Sequence, residues 1–355
     1  MKNDLKMRIL PLLMSLLMCF ALSACGAADE ENMTDLQKGM SAIENGDYET
    51  AETSLLNALR QEENLKAVYR GLGMAKLAQG NVSEAIGYFE DALSQSNGII
   101  EDMDIDISYY LAVAQYRQGN TEDAIATYNA IIDIRPNEDN AYYMRGKAYL
   151  LTGHRDQAIS DYEKAVELAP GDYDHYLRIC EDLREAGYQE DGDSYIRRAM
   201  ESGNKLSDYQ LGVFNYYLGN YTDARGYLEN AKNGKKVPEN LIVYLGRTYE
   251  ALGDVAYAIS MYEEYITAGG ENAAAYVYLG LAKMGQNDYS GAIEVFDAGI
   301  ATGDSGYMQS MMYNRIVSYE YLKNWNKAKE LMAEYVKKYP DDEKAARENI
   351  FLSTR

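Results

Sequence analysis

The sequence predicts an all-α protein, an α-solenoid of about nine helix-turn-helix repeats over residues 32–340, followed by a capping helix over residues 341–355. A motif of the form Gly-x6-Gly-x4-Ala recurs along the chain, and a large side chain regularly follows its Ala by four positions. The chain also has only 5 Pro among 355 residues. So few helix-breaking residues favour a helical chain.

The first 24 residues have the pattern of an export signal. Three basic residues precede an apolar run, residues 9–21, which is too short to remain as a stop-transfer helix. The tetrad Leu-Ser-Ala-Cys that ends at Cys25 resembles the lipobox of bacterial lipoproteins. The resemblance implies cleavage before Cys25, acylation of its thiol, a short linker over residues 25–31 and a lipid anchor on the exported face of a bacterial membrane. An ordinary secretory signal is the alternative.

The charge of the chain argues against a nucleic-acid partner. There are 34 Lys and Arg against 56 Asp and Glu, a formal net charge of −22. Residues 1–24 carry three basic residues and one acidic residue, so the chain from Cys25 onward has a net charge of −24. Phosphate backbones bind basic surfaces, and anionic headgroups repel acidic ones. The lipid is therefore the expected membrane contact.

Cysteine usage predicts that packing alone holds the exported chain together. Cys19 lies in the apolar run and Cys25 is the proposed lipid site, which leaves Cys180 as the single thiol of the body. One thiol forms no intramolecular disulfide. The repeat places Cys180 at a small-residue position, where we expect it to be buried.

The repeat motif can be followed through nine copies. Five match it fully and four carry substitutions. The full copies are Gly39, Gly46, Ala51; Gly73, Gly80, Ala85; Gly146, Gly153, Ala158; Gly212, Gly219, Ala224; and Gly246, Gly253, Ala258. The substituted copies are Ala112, Gly119, Ala124; Cys180, Gly187, Gly192; Gly280, Asn287, Ala292; and Ile316, Lys323, Ala328. The large residues are Leu55, Phe89, Tyr128, Tyr162, Ile196, Leu228, Tyr262, Phe296 and Met332.

This pattern closely resembles the tetratricopeptide repeat, with Pro136, Pro170 and Pro340 at the position that ends a repeat. The resemblance covers nearly the whole chain after the signal. It implies a right-handed solenoid in which the first helix of each repeat, helix A, lines a concave groove for ligands.

Each motif position has a physical reason. Small residues at the first and third positions let helix A approach helix B, the second helix of the repeat, because a larger side chain would separate the axes. The middle Gly ends helix A in a left-handed conformation. The large residue of helix B is expected to fill the gap between units.

Departures from the repeat predict irregular places. Five extra residues between the second and third repeats predict an acidic loop near residues 97–104, and residues 303–306 separate the eighth and ninth repeats. Gly192 replaces Ala in the fifth repeat, which marks that repeat as a candidate for local bending.

The capping helix is expected to begin at the acidic residues 341–343 and to bury an apolar stripe formed by Ala345, Ala346, Ile350 and Phe351.

Motifs for catalysis, cofactors and metals are missing from the sequence. The two histidines, His154 and His175, are expected to be surface polar residues. Asp102, Asp104 and Asp106 alternate as in a calcium loop, but an EF-hand would require Gly at 107 and Glu at 113, where Ile and Val stand. The phosphate-binding, serine-hydrolase and zinc-protease motifs do not occur. We therefore expect neither an enzyme nor a metal or cofactor site.

The resemblance to the tetratricopeptide repeat also implies which helix A positions face a ligand. These positions carry basic residues and tyrosines, which predominate in binding hot spots. The candidate partner-binding residues are Arg70, Tyr109, Tyr143, Lys147, Arg178, Arg184, Tyr209, Tyr216, Arg247 and Tyr313. They favour a protein or peptide ligand that carries an acidic or carboxylate-bearing segment. The alternative is that these tyrosines pack between neighbouring A helices and the basic residues pair with adjacent acids.

Three classes of function remain open. The first is a lipid-anchored scaffold that binds proteins or peptides, the second is a surface carbohydrate binder that uses the tyrosines, and the third is an enzyme. A carbohydrate binder requires several exposed, coplanar aromatic rings on a shallow platform, whereas a peptide binder requires a groove.

Overall fold

The computed structural model describes residues 33–202, 205–340 and 342–355. The proposed signal peptide, Cys25 and the linker to residue 31 lie outside the described residues, so lipidation stays a prediction. Every regular element of the described residues is an α-helix, and there are nineteen. Among the described residues, no helix has the length and apolarity needed to cross a bilayer.

The helices alternate as A and B helices of nine repeats, and one further helix follows. Their bounds are α1 Asp35–Glu44, α2 Tyr48–Arg60, α3 Leu65–Ala78, α4 Val82–Ser94, α5 Asp102–Gln118, α6 Thr121–Ile134, α7 Asp139–Leu151, α8 Arg155–Leu168, α9 Tyr173–Glu185, α10 Gln189–Glu201, α11 Asp208–Tyr217, α12 Tyr221–Lys232, α13 Leu241–Ala251, α14 Val255–Thr267, α15 Ala273–Gly285, α16 Tyr289–Ala301, α17 Ser305–Tyr321, α18 Trp325–Lys338 and α19 Glu343–Ser353. The predicted all-α solenoid of about nine repeats is confirmed.

The chain forms two compact units, one that ends at Tyr195 and one that begins at Ile196, so the boundary falls within α10. The first unit contains α1 to α9, and the second contains α11 to α19. Within each unit, consecutive helices pack against one another. We call them the N-terminal unit and the C-terminal unit.

The large residue of helix B forms the core of each repeat. All nine of the large residues predicted from the motif are fully buried, with 0% exposure. A Cβ added at Gly73 would lie 2.5 Å from Phe89, and one added at Gly246 would lie 2.3 Å from Tyr262. The large side chain therefore packs directly on the small residue of helix A within its own repeat.

The expectation that this side chain fills the gap between repeats describes only part of its role. The Phe89 ring lies on Gly73 of its own repeat and also stacks on Tyr110 of the next, with 5.6 Å between ring centroids. One side chain thus joins two neighbouring interfaces, which is how stability accumulates along a repeat array.

The turn after helix A is left-handed, as predicted. The seven middle glycines have φ between 73° and 93°, and Asn287 and Lys323 adopt φ of 62° and 59° at the same position of the eighth and ninth repeats. These two residues accept a conformation that ordinarily favours Gly.

Two predicted loops are shorter than expected because acidic residues begin the next helix. α5 begins at Asp102, after Glu101 at its N-cap, so the helix takes in Asp102 and Asp104 from the predicted loop. α17 begins at residue 305, where the Asp304 side chain accepts a hydrogen bond from the Gly306 amide. Carboxylates at these positions satisfy free amides of the first turn.

The capping helix α19 packs against α18, but the predicted stripe is wrong in part. Ala345 and Leu352 are its buried residues, whereas Ile350 is 68% and Phe351 41% exposed. Ala346 is also exposed. A spacing of seven residues joins Ala345 to Leu352, so the buried face is narrower than the sequence suggests.

Candidate partner-binding site

Most of the predicted basic residues in the N-terminal unit are paired with carboxylates of the same unit. Arg70 Nε lies 2.5 Å from Asp106 Oδ2, and Arg184 forms an ion pair with Asp193. These contacts match the alternative that the sequence left open, in which arginines pair with adjacent acids. A ligand carboxylate would have to displace the Asp106 carboxylate from Arg70, or the Asp193 carboxylate from Arg184.

Tyr143 and Lys147 need a correction, because both are buried. Lys147 Nζ lies 2.7 Å from Asp182 Oδ1, and the Tyr143 hydroxyl donates to Asp182 Oδ2 at 2.9 Å. Only 1% of Tyr143 and 7% of Lys147 are exposed. A buried charge must be paired and hydrogen-bonded. This network therefore belongs to the interior of the unit, and Tyr143 and Lys147 do not face a ligand.

Tyr109 and Arg178 are the remaining candidates of the N-terminal unit. The Tyr109 ring lies 6.3 Å from the Tyr128 ring, and burial raises the pKa of the Tyr109 hydroxyl. Arg178 lies 5.7 Å over the Tyr143 ring and forms no ion pair with the residues that the structure describes. Arg178 is therefore the basic candidate that remains available in this unit.

In the C-terminal unit, Arg247 lies between two aromatic rings. Its guanidinium is 5.0 Å from the centroid of Tyr216 and 4.8 Å from that of Tyr278. The three residues lie on α11, α13 and α15, which are the A helices of consecutive repeats. Across the described ranges, Arg247 has no carboxylate within ion-pair distance. The register thus brings one unneutralised cation and two aromatic faces to the same side of three neighbouring helices.

More tyrosines surround this cation. The Tyr244 ring lies 5.8 Å from Tyr216, 6.1 Å from Tyr217 and 6.3 Å from Tyr209, with interplanar angles of 66°, 60° and 69°. These rings therefore meet edge to face. We call Tyr209, Tyr216, Tyr217, Tyr244, Arg247 and Tyr278 the Arg247 cluster.

An acidic residue lies near the Arg247 cluster without neutralising it. Glu250 follows Arg247 by three positions on α13, and burial raises the pKa of its carboxyl although Tyr262 and Arg247 act to lower it. Arg247 itself stays protonated at all physiological pH values.

Tyr313 lies apart from this group, on α17. Its ring is 5.7 Å from Tyr335, and Lys344 Nζ of the capping helix lies 4.8 Å over it. Tyr313 therefore takes part in the packing of α19, which the sequence did not indicate.

Tyr278 belongs to the Arg247 cluster but is not among the candidate residues that the sequence indicated. The signal was present, because Tyr278 precedes Gly280 by two positions just as Tyr244 precedes Gly246. The repeat register alone would have placed both tyrosines on one face.

The two histidines and the aspartates of the apparent calcium loop are the remaining polar residues that the sequence singled out. His154 is exposed at the N-cap position of α8, as expected, but His175 is fully buried and the expectation of a surface residue is wrong. Asp104 pairs with Lys66 and Asp106 with Arg70. These two carboxylates of the apparent calcium loop therefore serve ion pairs between repeats.

The helix pairs, their small-to-large contacts and the left-handed turns define a helical repeat protein of the α-solenoid class. Models of the tetratricopeptide repeat match residues 36–99, 71–139 and 245–306, residues 139–172, and residues 310–342. Together these matches span more than half of the chain. The chain belongs to the tetratricopeptide repeat family.

Two solved structures are similar to this chain at low identity, and the fold is shared with the first of them. Yeast Tom70 is 16% identical with a TM-score of 0.56, and the match covers 84% of this chain and 67% of that one. A tetratricopeptide repeat protein from Parabacteroides merdae is 21% identical with a TM-score of 0.48, over 80% of this chain and 97% of that one.

A curated relative matches over a short stretch. Serine/threonine-protein phosphatase T of Trypanosoma brucei brucei is 35% identical over 68 residues, 19% of this chain. The chain spans only 14% of that relative's length.

Proposed function

We propose that the protein is a membrane-anchored scaffold whose A helices bind a protein or peptide partner through an acidic or carboxylate-bearing segment. Membership of the tetratricopeptide repeat family supports a scaffold that binds proteins. Arg247 carries the finer proposal, because it is a partly buried cation held between two tyrosine rings and without a carboxylate partner among the described residues.

The surroundings of Arg247 suit a carboxylate ligand. The two rings hold the guanidinium through cation–π attraction, each worth about 0.5–2 kcal/mol. A carboxylate that reaches this guanidinium gains charge-assisted hydrogen bonds, which are about twice as strong as neutral ones. The tyrosines add flat apolar contact at a small cost in conformational entropy.

The net charge of the chain sets the selectivity. At −24 from Cys25 onward, the protein repels acidic molecules at long range. An acidic segment gains enough to bind only where it reaches Arg247 and the tyrosines together. Access to the cluster therefore discriminates between ligands as much as the contacts inside it do.

The geometry of the rings favours a peptide over a carbohydrate. Rings in the Arg247 cluster meet at 60° to 88°. A saccharide stacks on a flat aromatic surface, which rings set edge to face do not offer. A peptide contacts such rings through separate side chains.

The membrane anchor is the second part of the proposal. It is supported by the charged start, the apolar run and the Leu-Ser-Ala-Cys tetrad that ends at Cys25. The anchor would hold the scaffold on the exported face of a bacterial membrane, so its partners would be membrane or envelope proteins.

The peptide proposal is tested with Arg247→Ala. An array of acidic peptides is screened against the purified protein, and the affinity of the tightest binder is measured by calorimetry for the wild type and the variant. We expect Arg247→Ala to weaken binding by about 2 kcal/mol or more, roughly thirtyfold, because a hot-spot cation is lost.

Lys232 on α12 provides the matched control, since it is an exposed cation on a B helix of the same unit. Lys232→Ala should leave the affinity nearly unchanged. If Arg247→Ala binds as tightly as the wild type while Lys232→Ala binds more weakly, the proposed site is wrong.

A further inference from the structure

Two aspartates and a histidine meet where α7 and α9 begin, in the N-terminal unit. His175 Nδ1 lies 3.4 Å from Asp139 Oδ2 and 3.5 Å from Asp172 Oδ2. One potential ligand atom from each residue lies within 4.8 Å of the others. Imidazole nitrogen and carboxylate oxygen are both common ligands of divalent metal ions.

The buried histidine presents a lone pair to this spot. His175 Nε2 lies 3.2 Å from Asn140 Oδ1. Since an amide oxygen only accepts, Nε2 carries the hydrogen and Nδ1 of the neutral ring is an acceptor. The side chain is 0% exposed, and Nδ1 has no hydrogen-bond partner among the described residues. A buried acceptor that faces two carboxylates is unfavourable unless a positive species lies between them.

A proton on Nδ1 is disfavoured by the surroundings. Burial lowers the pKa of the His175 imidazole most strongly, and Arg178 one turn later also lowers it. Asp172, Asp139 and Asp174 act in the opposite direction but do not reverse the shift. Burial therefore favours the neutral form of the ring over the charged form.

The repeat register shows that packing does not require a histidine here. His175 precedes Cys180 by five positions, and the corresponding position is buried and apolar in six of the other eight repeats. These six residues are Val68, Ile107, Ala141, Leu241, Ala275 and Met311. In the first and sixth repeats the position holds the exposed N-cap residues Thr34 and Ser207. An apolar side chain would fill this place without an unsatisfied nitrogen.

The carboxylates are held in position by local structure. Asp172 is the N-cap of α9, where its Oδ1 accepts from the amides of Asp174 and His175. That bonding leaves Oδ2 directed at the imidazole. The Asp139 and Asp172 side chains are 27% and 37% exposed, so an ion reaches them from solvent.

We propose that Asp139, Asp172 and His175 bind a divalent transition-metal ion, for which Zn²⁺ is the best fit. Zinc–nitrogen and zinc–oxygen bonds of about 2.0–2.1 Å in a tetrahedron place neighbouring ligand atoms about 3.4 Å apart. The separations from Nδ1, 3.4 and 3.5 Å, agree with this geometry. Ca²⁺ and Mg²⁺ are less suited, because they prefer oxygen ligands throughout.

Bound here, the ion joins the fourth repeat to the fifth. Two carboxylates and a neutral imidazole carry a charge of −2, which a divalent ion balances. Three protein ligands leave a fourth position for water or for a carboxylate of a partner. The Asn140 hydrogen bond is then the outer contact that fixes the tautomer and the direction of the ring.

The test is Zn²⁺ binding by the purified full-length protein, first stripped with a chelator, measured by calorimetry at pH 7.5. We expect one tight Zn²⁺ per chain in the wild type. His175→Leu introduces the side chain that the seventh repeat has at this position, Leu241. This variant should therefore fold, and it should lose the Zn²⁺ site. Asn140→Ala keeps all three ligands and should bind about 10- to 100-fold more weakly.

Controls separate this site from the acidic surface. His154→Ala removes the other histidine and should bind Zn²⁺ as the wild type does. Co²⁺ bound to the wild type should give the intense visible absorption of a tetrahedral nitrogen and oxygen site. Asp172→Asn should abolish this absorption, although Asn can still cap α9. This variant keeps the test valid if His175→Leu does not fold. The proposal would be overturned if the wild type had no tight Zn²⁺ site, or if His175→Leu and Asp172→Asn bound Zn²⁺ as tightly as the wild type does.

Discussion

At the scale of single residues, the repeat depends on pairs of complementary size. Gly246 faces Tyr262, and a Cβ on Gly246 would lie 2.3 Å from the ring. The fifth repeat reverses the sizes, since Cys180 replaces Gly on helix A and Gly192 replaces Ala on helix B. A Cβ on Gly192 would lie 2.8 Å from the Cys180 carbonyl oxygen. The substitution that marked this repeat as a candidate for local bending is therefore a compensated exchange of volume.

This complementarity predicts that Gly246→Ala destabilises the C-terminal unit. The added methyl must displace the buried Tyr262 ring, which costs about 1–3 kcal/mol and exceeds the gain of up to about 1 kcal/mol from better helix propensity. Urea unfolding followed by the fluorescence of Trp325, the single tryptophan, measures the change within this unit.

Gly226→Ala on α12 is the matched control for Gly246→Ala. It lies in the same unit, and a Cβ added there meets nothing within 4 Å. We expect this variant to gain about 0.5–1 kcal/mol, because Ala restricts the unfolded chain and favours the helix. Equal effects from the two substitutions would contradict the close contact between Gly246 and Tyr262.

At the scale of helices, the local pattern specified the hairpins because each motif residue acts within about 16 positions of its partner. Gly73 and Phe89 are one such pair. Lys147 and Asp182 are 35 positions apart, and their ion pair depends on the conformations of two side chains from different repeats. The sequence supplied the face on which such residues lie, but not which acid would neutralise which base.

His175 illustrates the same limit for the metal proposal. The position five residues before the first motif residue is buried in six other repeats, but a count of two histidines suggested a surface role for His175. The approach of Asp139 and Asp172 depends on how two helix starts lie side by side. No spacing within one repeat encodes that contact.

The contact of α17 with α19 predicts a dependence of stability on pH. Burial raises the pKa of the Glu320 carboxyl from 4.5 to about 7, and Glu348 of α19 adds to the shift. The folded state therefore binds this proton more tightly than the unfolded state. Its contribution to stability is complete below about pH 4.5 and is lost as pH rises through 7.

Glu320→Gln tests this dependence with little change in shape. Between pH 5 and pH 8, the free energy of unfolding reported by Trp325 should fall more for the wild type than for the variant. At pH 8, we expect the variant to be more stable by about 1 kcal/mol, a value reduced for the partial exposure of Glu320. Parallel pH profiles for the two proteins would exclude Glu320 as the titrating group.

At the scale of the whole molecule, the acidic chain and the proposed anchor act together. A net charge of −24 from Cys25 onward repels anionic headgroups. Attachment to a membrane would then rest on the acyl chains at Cys25. Because two or more chains give stable binding where one gives only marginal binding, the loss of this thiol should have a large effect.

Cys25→Ala is therefore expected to abolish lipidation and firm retention on the membrane. The measurement is fractionation of the producing cells, with incorporation of labelled palmitate and the mass of the mature N-terminus as independent readouts. Cys19→Ala and Cys180→Ala are matched controls, because one alters the apolar run and the other a buried thiol of the body. Both should be processed and retained as the wild type is. Processed Cys25→Ala protein that stays in the membrane fraction as tightly as the wild type would show that another element makes the attachment.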